Sequence, residues 1–243
     1  MDRESLTLYL VRHPETISIS NGIIQGGGSD SPLSELGLQQ ALQLRSFFQT
    51  VPLQAVYSST LLRCKDIAEL IVKERPVPLL LEQNLVEGTL GEWEGLPFEE
   101  TSRRFEEMGT RNAYVAPPGA ESVWSIRGRV ERFLETVLKE QNGHVALITH
   151  GGIVRVMLGA LLGLPRETPW RGYPFALENG SISIVEVERA VPSQGISRFV
   201  IRRVNDTSHL QSAGVTNSAA AEVLAKGRSL DQAEVPAPKA ADA

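Results

Sequence analysis

The sequence predicts an α/β fold, a three-layer sandwich with a mostly parallel central sheet covered by helices. Three observations lead there. Leu6–Val11 (LTLYLV) is a nearly continuous apolar run, the pattern of a strand buried on both faces. Short apolar runs then alternate with one-sided helical segments, the order of βαβ units. The chain has 243 residues, 42% of them apolar, which suffices for one sizeable core and does not demand two.

The elements follow in order. Ser34–Phe48 carries Leu38, Ala41, Leu42, Leu44 and Phe48 in a one-sided helical pattern, with Ser34 as its N-cap. Ala55–Tyr57 is a short strand leading through Ser58 and Ser59 into a helix over Leu61–Val72. Pro76-Val77-Pro78 resets the chain before a third strand, Leu79–Leu81. Glu121–Leu138 is a helix with Val123, Ile126, Val130, Phe133, Leu134 and Val137 on one broad face, ended by Gly143. Val145–Thr149 is the clearest interior strand after the first, and Ile153–Leu162 a short helix behind it. Asn179-Gly180-Ser181 reads as a turn into the late strands Ser181–Val187 and Phe199–Val204.

Two stretches depart from this alternation. From Glu82 to Gly119, Gly88, Gly91, Gly95 and three prolines frame a polar helix over Glu99–Gly109, an insertion (82–119) that shapes a cleft. Residues 211–243 hold ten alanines and no aromatic residue, so a mobile tail is expected, with a short helix over Ala219–Lys226. Residues 1–210 then form one domain.

Composition excludes several classes. One cysteine, Cys64, rules out a disulfide scaffold, and no run approaches 18 apolar residues, so no membrane span is expected. A net charge of −5, from 24 basic and 29 acidic residues, speaks against a nucleic-acid surface. The N-terminal residues enter a strand directly, without a signal-peptide pattern. The expectation is a soluble cytoplasmic protein.

The chemistry gathers at strand ends. The first strand ends in Arg12-His13-Pro14-Glu15-Thr16, and the Val145–Thr149 strand in Thr149-His150-Gly151-Gly152. In an open parallel sheet, binding groups collect beyond the carboxyl ends of the strands, so two of only four histidines meet at one edge. Arg63, in Ser58-Ser59-Thr60-Leu61-Leu62-Arg63, starts a helix beside them, where backbone N–H groups favour an anion. Arg12 and Arg63 offer planar forks suited to phosphate oxygens, and Arg155 is a weaker candidate that covers a helix surface. Glu87, in LVEGTLGEWEG at the mouth of the insertion, is placed to protonate a leaving oxygen.

The RHPET, SSTLLR, LVEGTLGEWEG and THGG segments, in that order, resemble the histidine phosphatase superfamily, which includes the cofactor-dependent phosphoglycerate mutases. The resemblance runs from about Leu6 to Leu210, where NDTSHL resembles the family's terminal element. It implies a phosphoglycerate-mutase-like fold and a phosphohistidine formed on His13. It implies that Arg12, Arg63, His150 and Gly151 line the phosphate pocket and that Glu87 donates a proton and later accepts one. A protonated His150 would keep His13 neutral by like-charge repulsion. No cofactor and no metal enter this scheme. Glu92 and Glu94 read as fold support around Trp93.

The sequence departs from the family at three places. Pro14 replaces the glycine after the catalytic histidine, and Ile19 and Ile23 stand where relatives carry an Asn–Arg pair. A mutase needs compensation for a second phosphate, yet Gly95–Gly119 is short and slightly acidic. The phosphatase branch is therefore expected, acting on a small phosphorylated metabolite. Ile19, Ile23, Trp93, Phe98, Phe105, Tyr114 and Trp124 are candidate pocket walls and suggest a substrate with some nonpolar surface. Mutase-type transfer, a phosphate-sensing module and a recruited function are the alternatives. Dinucleotide binding and serine hydrolysis lack their GxGxxG and GxSxG motifs. Cys64 reads as a packing residue, His144 as a helix-to-strand junction residue, His209 as a packing or capping group at the domain's end, and Glu15 and Thr16 as braces of the first loop. Oligomeric state is not legible, although a homodimer is the usual state of such enzymes.

Overall fold

The computed structural model describes residues 5–108, 116–168, 173–188 and 198–216. Strands β1 (Ser5–Arg12), β2 (Leu53–Ser58), β3 (Leu79–Leu81), β4 (Gly143–Thr149), β5 (Ile182–Glu188) and β6 (Arg198–Asp206) form one sheet in the order β3-β2-β4-β1-β5-β6. Pairings β3/β2, β2/β4 and β4/β1 are parallel, while β5 and β6 run antiparallel. The helices are α1 (Ile17–Ser20), α2 (Glu35–Gln49), α3 (Leu62–Val72), α4 (Phe98–Met108), α5 (Val123–Glu140), α6 (Gly151–Leu161) and α7 (Ser208–Gln211).

The layering follows from crossover handedness. From β1 through β2 to β3 the chain moves one way along the sheet, then turns back to β4. Right-handed crossovers therefore send α2 and α3 to one face and α5 to the other. Each central strand feeds both layers by strict alternation. Leu6, Leu8 and Leu10 pack with α5 and α6, while Tyr9 and Val11 pack with α2 and α3. In β4, Val145 and Leu147 take the first side and Ala146 and Ile148 the second. Each such fully buried aliphatic side chain contributes roughly 2 kcal/mol. The predicted sandwich is thus observed.

Ser34 caps α2 as expected, its hydroxyl accepting from Gly37 N–H. The buried face of that helix differs from the expected one. Gly37, Gln40, Ala41, Leu44 and Phe48 face the sheet, while Leu38 and Leu42 are more than half exposed. Gln40 is drawn inward because its side-chain oxygen accepts from Glu15 N–H. Likewise α5 ends at Glu140, and Gly143, with φ of +66°, opens β4 instead of closing the helix.

The insertion leaves the sheet after β3, carries α4, and returns through Pro117 and Pro118 to α5. Glu94 braces it, accepting from the N–H groups of Gly28 and Leu90. Trp93 is buried edge-on against Phe105, with Arg104 over its ring at 5.9 Å. Past Leu210, Val215 is still buried, so packed chain extends a few residues into the expected tail. The expected Ala219–Lys226 helix, with the rest of that tail, and Tyr114 lie outside the described residues.

Candidate active site

β1 and β4 are neighbours whose following helices leave toward opposite faces, the crevice where open α/β sheets bind ligands. His13 follows β1 and His150 follows β4 as the N-cap of α6. Their ring centroids are 5.2 Å apart. The backbone fixes this placement. His13 N–H donates to Thr149 O at 2.9 Å, extending the ladder, and Asn179 Nδ2 donates to His13 O at 3.0 Å.

Hydrogen bonds set both tautomers. His13 Nδ1 lies 2.7 Å from Pro14 O, and a carbonyl only accepts, so Nδ1 carries the proton and Nε2 keeps its lone pair. His150 Nδ1 accepts from Arg63 Nε–H at 3.3 Å, which leaves Nε2–H to donate to Ser59 Oγ at 2.8 Å. Burial holds His13 well below the usual imidazole range, reinforced by Arg63 and Arg12. Burial and Arg63 do the same to His150. Protonation of His150, the condition for like-charge repulsion on His13, is thus disfavoured by its burial and by Arg63. His150 packs against His13, where burial first and the two arginines second disfavour the imidazolium.

Arg63 is only 1% exposed and its fork is engaged throughout. Nη1 donates to Ser29 O and Asp30, and Nη2 to Gly26 O. It thereby fastens the 26–30 loop over the start of α3, where Asp30 also accepts from Leu62 N–H. Arg12 donates through Nη1 to Leu177 O, while its Nε is buried without a hydrogen-bond partner among the described residues. Burial, with Arg155 nearby, lowers its guanidinium to about 10. Gly151 makes room for it, since a Cβ there would sit 3.2 Å from Arg12 Nε.

Glu87 reaches the first turn of α6. Its Oε2 accepts from Gly152 N–H and its Oε1 from Gly88 N–H, both at 3.0 Å. Gly27 N–H donates to Gly88 O, and a Cβ on Gly27 would collide with Glu87 O, so the glycine-rich loop closes directly on the Glu87 backbone.

These groups open onto one cavity of about 600 Å³ lined by Arg12, His13, Arg63, Glu87 and Gly151. Of the expected walls, Ile19, Ile23, Phe98 and Phe105 line it. Trp93 and Trp124 do not; Trp93 supports Phe105 from behind, and Trp124 is half exposed. Arg155, read as helix cover, also lines the cavity, partly buried, with Nε–H donating to Phe175 O. Two contributors were not singled out from sequence as site residues: Asp30 on Arg63 and Asn179 on His13. The Asn-Gly turn was legible for Asn179, but its reach to His13 was not.

Other minor expectations stand as read. Cys64 is fully buried with Sγ 3.4 Å from Thr149 O, and burial pushes its thiol up. Glu15 accepts from Ser34 Oγ–H, and Thr16 donates to Gln25, bracing the first loop. His144 meets the Tyr9 hydroxyl on β4, and His209 packs on Phe47. No described helix is long and apolar enough to cross a membrane.

Comparison with known proteins agrees with this geometry. Phosphoserine phosphatase 1 of Hydrogenobacter thermophilus is 33% identical over 210 residues, covering 84% of this chain and 93% of that protein. The adenosylcobalamin/alpha-ribazole phosphatase of Escherichia coli K12 is 25% identical over 189 residues, 76% of this chain and 91% of its own. The solved structure of Bacillus stearothermophilus YhfR superposes with a TM-score of 0.70 at 27% identity, over 84% of this chain and 99% of that one. The family model for the histidine phosphatase superfamily (branch 1) matches residues 8–198, a span that runs from β1 to the start of β6 and contains every catalytic candidate above. The chain is a member of the histidine phosphatase superfamily and carries the hydrolase activity of that type.

Proposed function

We propose that this site hydrolyses phosphomonoesters of small molecules through a phosphohistidine on His13, without a metal. One observation carries the reading: His13 donates through Nδ1 to Pro14 O, so Nε2 keeps its lone pair on a residue that lines the cavity together with Arg12 and Arg63. Nε2 attacks phosphorus in line, the N–P bond forms, and the ester P–O bond breaks. The imidazole becomes cationic, and its Nδ1–H bond to Pro14 O strengthens. Arg12 and Arg63 supply the charge that the equatorial oxygens require, and the unpartnered Arg12 Nε is a donor in reserve. His150 acts behind His13 as a positioning group held by Arg63 and Ser59.

Glu87 passes a proton to the departing alkoxide, then takes one from the water that attacks phosphohistidine, and the Nε2 lone pair is restored. Its two N–H bonds fix the carboxyl group while each oxygen keeps a lone pair for that proton. Pro14 fits this scheme, because its carbonyl, not an N–H, is the working group. Mutase-type transfer is disfavoured. Among the described residues the arginines lining the cavity are Arg12, Arg63 and Arg155, which this reading gives to the reacting phosphate, and the lining carboxylate besides Glu87 is Glu121.

The test is phosphate release from a panel of monoesters under chelation, beside His13→Ala. Loss of release in a folded variant, with an acid-labile phosphoenzyme trapped only in the parent, is expected. Release by His13→Ala within tenfold of the parent would remove His13 as nucleophile.

A further inference from the structure

On the reading of this site as a phosphomonoester hydrolase, we infer that the alcohol it releases is bulky, apolar and uncharged. The cavity, about 600 Å³, lies within the roughly 300–1,000 Å³ of small-molecule sites and far exceeds what a phosphate fills. Its cationic groups gather at one end. Arg12 lies close enough to Arg155, Glu87 and Arg63 to feel their charges, and Arg155 feels that of Glu87. The apolar walls come from four separate segments: Ile19 and Ile23 after β1, Phe98 and Phe105 of α4, Ile126 of α5 beside Gly88, and Phe175 before β5, whose carbonyl holds Arg155.

Three polar side chains in those walls are committed to the protein, whereas Gln25, which also lines the cavity, is held by Thr16 through Oε1 and keeps a buried Nε2 without a hydrogen-bond partner among the described residues. Thr101 Oγ1 donates to Phe98 O, and Thr89 Oγ1 accepts from Glu121 N–H. Glu121 itself is gripped by Arg129 at 3.0 and 2.9 Å and by Ser125. The apolar positions are built in as firmly. Thr16 caps the single turn of α1, its hydroxyl accepting from Ile19 N–H, and this sets Ile19 inward at 5% exposure. Ile23 is held by a bridge to Pro97 at the start of α4.

A carboxylate or second phosphate on the leaving alcohol would be stripped of water against these walls and would face Glu121. An apolar chain gains instead with every carbon buried, about fourfold in binding per methylene.

The discriminating series is the n-alkyl phosphates from ethyl to octyl, whose leaving groups are almost equally basic. Each is assayed for kcat/KM, and the matching alkylphosphonates are measured as inhibitors. We expect kcat/KM to climb about fourfold per methylene until the cavity is filled. Phosphoserine and 3-phosphoglycerate are expected roughly 100-fold or more below hexyl phosphate. Ile23→Arg is expected to flatten the climb, and Ile23→Gln to do so partly if the arginine variant does not fold. A flat series on an enzyme that does turn over overturns the apolar assignment and leaves hydrolysis standing. Phosphonates that tighten with length while no ester is cleaved overturn hydrolysis and keep the apolar occupant. A flat inhibition series without turnover overturns both.

Discussion

Arg63 and His150 are joined by a fully buried hydrogen bond, guanidinium Nε–H to imidazole Nδ1, at 3.3 Å. The same guanidinium holds the 26–30 loop through Gly26 O, Ser29 O and Asp30. One side chain thus sets the tautomer of the imidazole behind His13 and the shape of the 26–30 loop. Arg63→Lys keeps the charge and loses the fork. We expect kcat/KM to fall about 100-fold and stability by on the order of 3 kcal/mol, since buried acceptors lose their donors. Denaturant midpoints measured beside kinetics check both, and a lysine variant with parental values would show that the fork is dispensable.

The two site histidines make acid sensitivity a shared property of activity and fold. Both lie well below 6.5 in the native state. Activity should therefore stay level as pH falls through 6.5, where an ordinary imidazole has lost half its neutral form. Stability behaves differently, because the unfolded chain binds protons at 6.5 that the native protein refuses. It is complete above that pH and declines below it, by about 1.4 kcal/mol per pH unit per histidine, until the native values are reached. Urea midpoints across mildly acid pH test this, and a profile with no decline would contradict the burial of neutral imidazoles.

Gly151→Ala separates packing on Arg12 from helix stability. The added Cβ meets Arg12 Nε at 3.2 Å and Cδ at 3.3 Å, so the guanidinium must shift. Alanine is the better helix former, by up to about 1 kcal/mol in a helix interior and less at the first turn. The expected outcome is a roughly tenfold loss of kcat/KM with no fall in Tm. A variant that loses neither would show that Gly151 does not position Arg12.

Glu87→Gln preserves an acceptor for Gly152 N–H but carries no acid proton. Alkyl phosphates, which need protonation as they leave, should slow by about 10²–10⁴-fold. Aryl phosphates with acidic leaving groups should lose much less. Equal losses for the two classes would remove Glu87 as the proton donor.

What was legible in the sequence shares a cause. Leu79–Leu81 matches its expected bounds because Pro76 and Pro78 mark where it begins. His13 and His150 were placed because a strand end fixes a residue to within one position. The rest depends on contacts that no period encodes. The loop that carries Asp30 to Arg63 is glycine-rich and has no repeating pattern. Whether Arg155 meets solvent depends on the 173–176 segment laid over it. Leu38 and Leu42 read as core because apolar character was plain, while the demand for Gln40 at Glu15 N–H was invisible. The charge of His150 followed from burial, which only the assembled layers provide.

The reacting groups stand on sheet ends and the first turns of α3 and α6, whereas the cavity walls come from segments the sheet does not pair. The two halves of the task are therefore separately heritable. A lineage can rewrite Ile19, Ile23 or the α4 region by single substitutions, or by changing loop length, while Arg12, His13, Arg63 and His150 stay in register. Relatives sharing this scaffold bear names as different as phosphoserine and alpha-ribazole phosphatase. In this chain two of those wall positions are isoleucines, Ile19 and Ile23, and a change at either leaves the hydrogen bonds of Arg12, His13, Arg63 and His150 untouched.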